Sequence, residues 1–264
     1  MNIIQAIILA FIEGLTEFLP VSSTGHMVVA ASLMDIANDD FTKLFVVAIQ
    51  LGAILSVLVL YSKRFLTGIP FYYKLCIAFL PSVVLGLLLN DIIDNLLESP
   101  VSVAVFFILG GIIFLKTDVW FQKNSDSKQT EPETMQSFRI GLFQCLAMFP
   151  GVSRSAATII GGMIQGLNRK TAAEFSFFLA VPTMFAATAY KLYKYISVKG
   201  EIHAEEIKLL AIGNVVAFLV AMIAIRGFVD FLSKKGFVWF GYYRILTGLI
   251  ILWIHFFVHP LQLM

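Results

Sequence analysis

Glu13, Glu17, Ser22, Ser23, Thr24 and His26 fall within one short stretch, EGLTEFLPVSSTGH, set in an otherwise apolar N-terminal segment. On a helix, Glu13 and Glu17 are four residues apart and share a face, about one turn from each other. Carboxylates among apolar residues are costly in free energy, and such groups mark a functional site with a partner. Two chemistries suit them: they could hold a divalent cation, whose hard charge takes carboxylate oxygens and bridges to phosphate, or one could accept and return a proton. As plain interfacial carboxylates they would only face water at a helix end. Ser22, Ser23, Thr24 and Gly25 make a hydroxyl-rich turn after Pro20, ahead of a helix expected to start near His26. Free N–H groups at such a helix start bind anions, although the hydroxyls could serve as caps and nothing more. His26 lies close enough in sequence to a serine to form a nucleophile and base pair, and is otherwise a structural histidine.

A second stretch, PGVSRSAAT from Pro150 to Thr158, supplies the opposite charge. Arg154 is expensive in a membrane segment unless paired, and its planar guanidinium matches phosphate with two parallel hydrogen bonds. Ser153, Ser155 and Thr158 surround it with hydroxyls. In a purely structural role, Arg154 would neutralise Glu13 or Glu17. Phe18 to Thr24 aligns with Phe149 to Ser155, which puts Gln144 at the place of Glu13 and Met148 at that of Glu17. The second stretch therefore keeps the anion-binding turn and lacks the acids. Glu174 and Ser176 point into the same cavity or cap a helix at the interface; Gln50 beside Gly52 reads as an interhelical hydrogen bond at a close contact. Arg244 is expected to snorkel to the surface or pair with Asp230. Together these groups suit phosphoryl or pyrophosphoryl chemistry, which asks the protein mainly for positioning and charge stabilisation.

The elements that must hold these residues are membrane helices. Of 264 residues, 59% are hydrophobic and 14% charged, with a mean hydropathy of +0.87, far from the composition of soluble domains. A net charge of +2 with scattered Lys and Arg gives no footprint for nucleic acid. The N-terminal segment lacks a basic region and a cleavage site, so it reads as part of the fold rather than a signal peptide. Cys76 and Cys145 lie in apolar runs, where packing is expected rather than a disulfide or metal site. Six apolar runs are long enough to span a bilayer: 43-61, 74-91, 101-120, 173-193, 207-226 and 239-258. Two more are interrupted by Pro, Gly and Ser, at 3-36 and 138-167, and read as broken re-entrant hairpins, which are tolerated only where they line a protein-covered or watery site.

The expected fold is thus all-α and integral to the membrane, with an inverted-topology repeat. A first repeat over 1-120 and a second over 138-264 each hold one broken hairpin and three spans, joined by a polar linker at 121-137. An odd number of spans per copy makes the second enter from the opposite side. With the 62-73 loop cytoplasmic, most Lys and Arg fall inside and the C-terminus outside, although the lysines between 191 and 208 count against this orientation.

These residues resemble a known family. EGLTEFLPVSSTGH and PGVSRSAAT are similar to the paired signature motifs of the undecaprenyl-pyrophosphate phosphatases, the bacitracin-resistance family, and AIQLGAIL at 48-55 and EFSFFLAVPTM at 174-184 also look like family segments. The resemblance implies hydrolysis of undecaprenyl diphosphate to undecaprenyl phosphate and inorganic phosphate, recycling the lipid carrier of cell-wall synthesis and giving bacitracin resistance. It implies a multi-pass protein of the bacterial plasma (inner) membrane, a site toward the outer side, and a divalent cation, Mg or Ca, on Glu13 and Glu17. It assigns catalysis to Glu13, Glu17, Ser23, His26 and Arg154, with Ser23 the nucleophile or His26 the activator of a water. Ser22, Thr24, Gly25, Ser153, Ser155 and Thr158 are its phosphate-contacting residues. Partners are the polyprenyl diphosphate lipid, the bilayer and, left open, a second copy in a homodimer. Two positions depart from the family pattern: Ala156 stands where glycine is usual, and Val46 where an acid is frequent. The same architecture also suits a transporter or flippase of polyprenyl phosphate lipids.

Overall fold

The computed structural model describes residues 1–88, 100–258 and 260–261. Residues 89–99, which hold Asp91, Asp94, Glu98 and the end of the second expected span, and His259 lie outside the described residues. The described residues form helices α1 (Ile3–Thr16), α2 (Ser23–Leu33), α3 (Asp40–Ala48), α4 (Gln50–Leu60), α5 (Ser62–Phe65), α6 (Ile69–Leu88), α7 (Pro100–Trp120), α8 (Thr134–Gln144), α9 (Arg154–Ile164), α10 (Arg169–Lys199), α11 (Ala204–Lys235) and α12 (Val238–Trp253). No strand occurs among them.

Six helical stretches are long and apolar enough to cross a membrane: Asp40–Leu60, Ile69–Leu88, Pro100–Trp120, Arg169–Lys199, Ala204–Lys235 and Val238–Val258. The protein is a multi-pass membrane protein. Each span coincides with one expected from the sequence, but α10 and α11 run well beyond 173-193 and 207-226 at both ends. Their polar end turns carry their own stop signals. Asn168 caps α10 by accepting from the Thr171 amide at 2.9 Å, and positive-φ glycines, Gly200 and Gly236, end α10 and α11. Ile4, Ile223 and Phe257 project outward, 70%, 75% and 79% exposed. Such exposure is the expected state of apolar side chains whose surroundings are lipid.

The two interrupted segments fold as the break signals predict. Helices α1 and α2 are joined by residues 17–22, and α8 and α9 by a short 3-10 turn, Cys145–Met148, and residues 149–153. Each pair returns to the end at which it began. In the first, the Met1 amino group lies 3.8 Å from Asp39, and Gln5 donates to the Met34 carbonyl. In the second, Gln136 and Arg139 both donate to Gln165, at 2.9 and 3.1 Å.

Packing is reciprocal between the halves. Helix α1 lies on α11 and α8 on α6, while α7 and α12 pack along each other. Side chains close helix ends between elements: Asp118 of α7 accepts from the Phe237 amide at 2.7 Å and pairs with Arg169 at 2.7 Å.

Candidate active site

Both breaks meet at the centre of the bundle. After α1, Pro20 prevents the helix from continuing, and Ser22 takes a left-handed conformation, φ 67°, that re-aims the chain into α2. After α8, Gly151 at φ 86° and Ser153 at φ 69° do the same for α9. A Cβ on Gly151 would stand 2.6 Å from the Val103 carbonyl oxygen, so this position needs glycine for space as well as for conformation. Two serines at aligned positions in the left-handed region each cost of order 1 kcal/mol, and such strain persists where surrounding structure holds it. The helices start earlier than the sequence suggests: α2 at Ser23 rather than near His26, and α9 at Arg154. Ser23 and Arg154, at aligned positions, are therefore both first-turn residues, carried by helix starts whose first N–H groups lack intrahelical partners; at α9 the Ser153 hydroxyl accepts from one of them, the Ala156 amide.

Arg154 reaches across from the second half to the first. Its Nη2 donates to Glu17 Oε1 at 2.9 Å, and its Nη1 to the Ser176 carbonyl at 2.8 Å. Glu17 Oε2 accepts a hydrogen bond from the Ser23 hydroxyl. The Arg154 Nε is buried and has no partner among the described residues, so the guanidinium keeps donor capacity for a ligand. Ser176 in turn bonds Thr158 at 2.7 Å, and Thr158 Oγ1 donates back to the Arg154 carbonyl at 2.9 Å. Ser155 donates to the Leu19 carbonyl at 2.8 Å, tying α9 to the first break.

Glu17, Ser22, Ser23, Thr24, Ser153 and Arg154 all line one cavity of about 310 Å³. Glu13, Gly25, His26, Ser155 and Thr158 stand behind its wall. Glu13 is 1% exposed, and its Oε1 has no partner among the described residues. Gly25 packs against the Phe107 ring. Of the two roles the sequence leaves open for His26, the Ser–His pair does not form. The Nδ1 of His26 lies 2.8 Å from the Ser22 carbonyl and its Nε2 2.7 Å from the Tyr243 hydroxyl, because the turn of helix between Ser23 and His26 points the imidazole toward α7 and α12. Glu17, not His26, contacts the Ser23 hydroxyl.

Arg244 is the largest departure from the sequence reading. It is fully buried rather than snorkelling, and Asp230 pairs with Lys234 instead. Its guanidinium donates to backbone carbonyls of both breaks, Pro20 at 3.1 Å and Gly151 at 2.8 Å, and to Phe106 at 3.0 Å. Broken helices leave carbonyls without partners, and a single five-donor side chain satisfies them from both halves at once. Gly110 makes room for it. The neighbour Tyr243 holds His26, so α12 braces both breaks through adjacent residues. Of the two readings open for Glu174, the shared cavity is not the one found: it faces a small cleft with Arg64, Lys74 and Glu131. Ser176 serves the site by fixing Arg154, not by lining the cavity. Gln50 faces the cavity, while the close contact at Gly52 is made by Asn214, which accepts from the Gly52 amide at 2.6 Å.

This arrangement defines a class: a polytopic membrane protein whose buried hydroxyl, carboxylate and guanidinium, drawn from two broken helix pairs, converge on one cavity. The model of the bacitracin resistance protein BacA family matches residues 6–250. Undecaprenyl-diphosphatase of Flavobacterium johnsoniae is 60% identical over 264 residues, covering all of both chains. That of Flavobacterium psychrophilum is 62% identical over 263 residues, again covering all of both chains, and that of Bdellovibrio bacteriovorus 51% over 265, likewise complete. The chain belongs to the bacitracin resistance protein BacA family.

Proposed function

We propose that the protein is a membrane phosphatase that hydrolyses undecaprenyl diphosphate to undecaprenyl phosphate and inorganic phosphate. In this role it recycles the lipid carrier of cell-wall synthesis and gives bacitracin resistance. The observation that carries the reading is the line of contacts Ser23–Glu17–Arg154 on one cavity wall, together with the names of the full-length relatives. The lipid-transport alternative draws no support from those relatives.

The proposed chemistry runs as follows. The terminal phosphate enters between Arg154 and the starts of α2 and α9, where guanidinium and backbone N–H groups neutralise it. Glu17 takes the proton of Ser23 as its oxygen attacks the terminal phosphorus; the bond from that phosphorus to the bridging oxygen breaks, and the lipid phosphate leaves with the electron pair. Water then attacks the phosphoserine, releasing inorganic phosphate, and the proton returns to Ser23. His26 holds the Ser22 carbonyl and so fixes the turn that presents Ser23. Glu13, with its free buried oxygen one turn from Glu17, offers the hard oxygen donors that suit Mg or Ca. Glu13 and Glu17 would hold the ion. A cation bound there would supply further neutralisation of the diphosphate.

The same reading places the site toward the outer face of the plasma membrane and makes the halves an inverted-topology repeat. Supporting it, the cavity-lining residue Ala187 lies on the half of α10 that leads to Lys199. That end carries Asp39 and Asp40 together with Lys199, opposite the end that holds Arg64, Lys74 and Arg169. The deciding measurement is phosphate release from undecaprenyl diphosphate by the purified protein, with and without divalent cation. Release that depends on cation supports the whole scheme, and no release under any cation defeats it.

A further inference from the structure

The cavity has a second polar end that the chemistry above does not use. Its wall there is made by Gln50 of α4, Ser82 of α6, Gln144 of α8 and Thr183 of α10. Gln144 is 3% exposed, spends one amide N–H on the Ser82 hydroxyl at 2.7 Å, and accepts from Thr183 at 3.4 Å. The Gln50 amide faces the cavity and has no hydrogen-bond partner among the described residues. Ser82 and Thr183 each follow a proline inside a helix, Pro81 and Pro182. Proline there bends the helix and frees a carbonyl, a cost that a packed apolar interface has no reason to carry.

We propose that this neutral end, Gln50 with Gln144 and Thr183, binds the lipid-proximal phosphate of the diphosphate. The proposal rests on the phosphatase reading. A diphosphate whose terminal phosphate meets Ser23 and Arg154 has its second phosphate one bridging oxygen away, inside the same cavity. Glu17 and Arg154 are the charged side chains among its lining residues, and both are committed to the terminal phosphate. The remaining wall, Ala147, Met148, Met184 and Ala187, is apolar and suits the start of an isoprenoid chain. Gln144 stands where the first half has Glu13. An acid there would repel the phosphate, whereas an amide donates to it. Neutrality also serves turnover. Hydrogen bonds from neutral amides hold an anion more weakly than an ionised partner does, so the lipid monophosphate, once cut from the terminal phosphate, is free to leave while inorganic phosphate stays with Arg154.

Gln50→Met is the variant of choice, because a side chain with no hydrogen-bond partner among the described residues is removed at little cost to the fold; Thr183→Val, of equal volume, is the second. Equilibrium binding of a short-chain polyprenyl diphosphate, of the corresponding monophosphate and of inorganic phosphate is measured for each purified protein. The expected result is a loss of about tenfold in affinity for the diphosphate and a loss for the monophosphate, whose one phosphate is the lipid-proximal one, with affinity for inorganic phosphate, held at Arg154, unchanged. In turnover, KM for the diphosphate rises and kcat holds. A loss for inorganic phosphate as large as that for the lipids, or no loss for the lipids in either variant, overturns the proposal. Binding reads this subsite even if the wild-type protein releases no phosphate, an outcome that would instead remove the phosphatase reading.

Discussion

Ser23, Glu17 and Arg154 form one chain of charge-assisted hydrogen bonds, and each link makes a distinct demand. Replacing Ser23 by Ala removes the oxygen proposed to attack and is expected to lower kcat by about a thousandfold or more; near-normal phosphate release would transfer the attack to water. Arg154→Lys keeps the charge and loses the fork that reaches Glu17 and Ser176 together. A drop of about a hundredfold in kcat/KM is expected, and wild-type turnover would contradict the clamp. Arg244 touches neither Ser23 nor Glu17 and holds the carbonyls of both breaks. Arg244→Met strands those carbonyls inside the bundle, a loss of about 3–5 kcal/mol by analogy with breaking buried charged pairs. A lowered melting temperature with lost activity is expected, and an unaltered melting curve would show that water replaces the guanidinium freely.

At the scale of the element, the breaks are where sequence and structure agree most and differ most instructively. Pro20 and the Pro150–Gly151 pair announce interruptions, and the chain stops its helices there. The exact restart was not legible, since Ser22 and Ser153 adopt φ 67° and 69°, conformations that no propensity for serine foretells and that only the surrounding contacts enforce. Shifting α2 forward to Ser23 turns Ser23 toward Glu17 and His26 away from it. Gly151→Ala tests the tightness of this packing. A Cβ against the Val103 carbonyl combined with a positive φ is expected to destabilise by about 1–3 kcal/mol and to lower kcat through the displaced Arg154. Unchanged thermal unfolding and turnover would mean that α7 gives way.

For the whole molecule, the question is which compartment each end meets. The tie between Lys199 and Asp40 at 2.8 Å gathers one end, and the cluster of Lys74 with Glu131 at 2.8 Å gathers the other. In a background without Cys76 and Cys145, Ser197→Cys is expected to react with a membrane-impermeant maleimide in spheroplasts, and Ser125→Cys only after lysis. The reverse pattern would invert the orientation and put the cavity on the cytoplasmic side. Reciprocal packing of α1 on α11 and α8 on α6 explains why one site needs both halves. Each half leaves its own break uncovered, and the other half supplies both cover and counter-charge.

Composition and hydrophobic run length by themselves determined that the chain crosses a membrane through about six helices, because lipid excludes any other backbone arrangement for such runs. Residue type determined that Glu17, Ser23 and Arg154 had to find partners, since isolated polar groups are too costly there. Which partner each found was decided by the tertiary structure. Glu17 instead of His26 receives the Ser23 hydroxyl, Arg244 turns inward to two distant carbonyls, and Gln50, Ser82, Gln144 and Thr183 share a wall with residues far from them in sequence. Those outcomes depend on helix rotation and on contacts between halves, quantities that local periodicity does not contain.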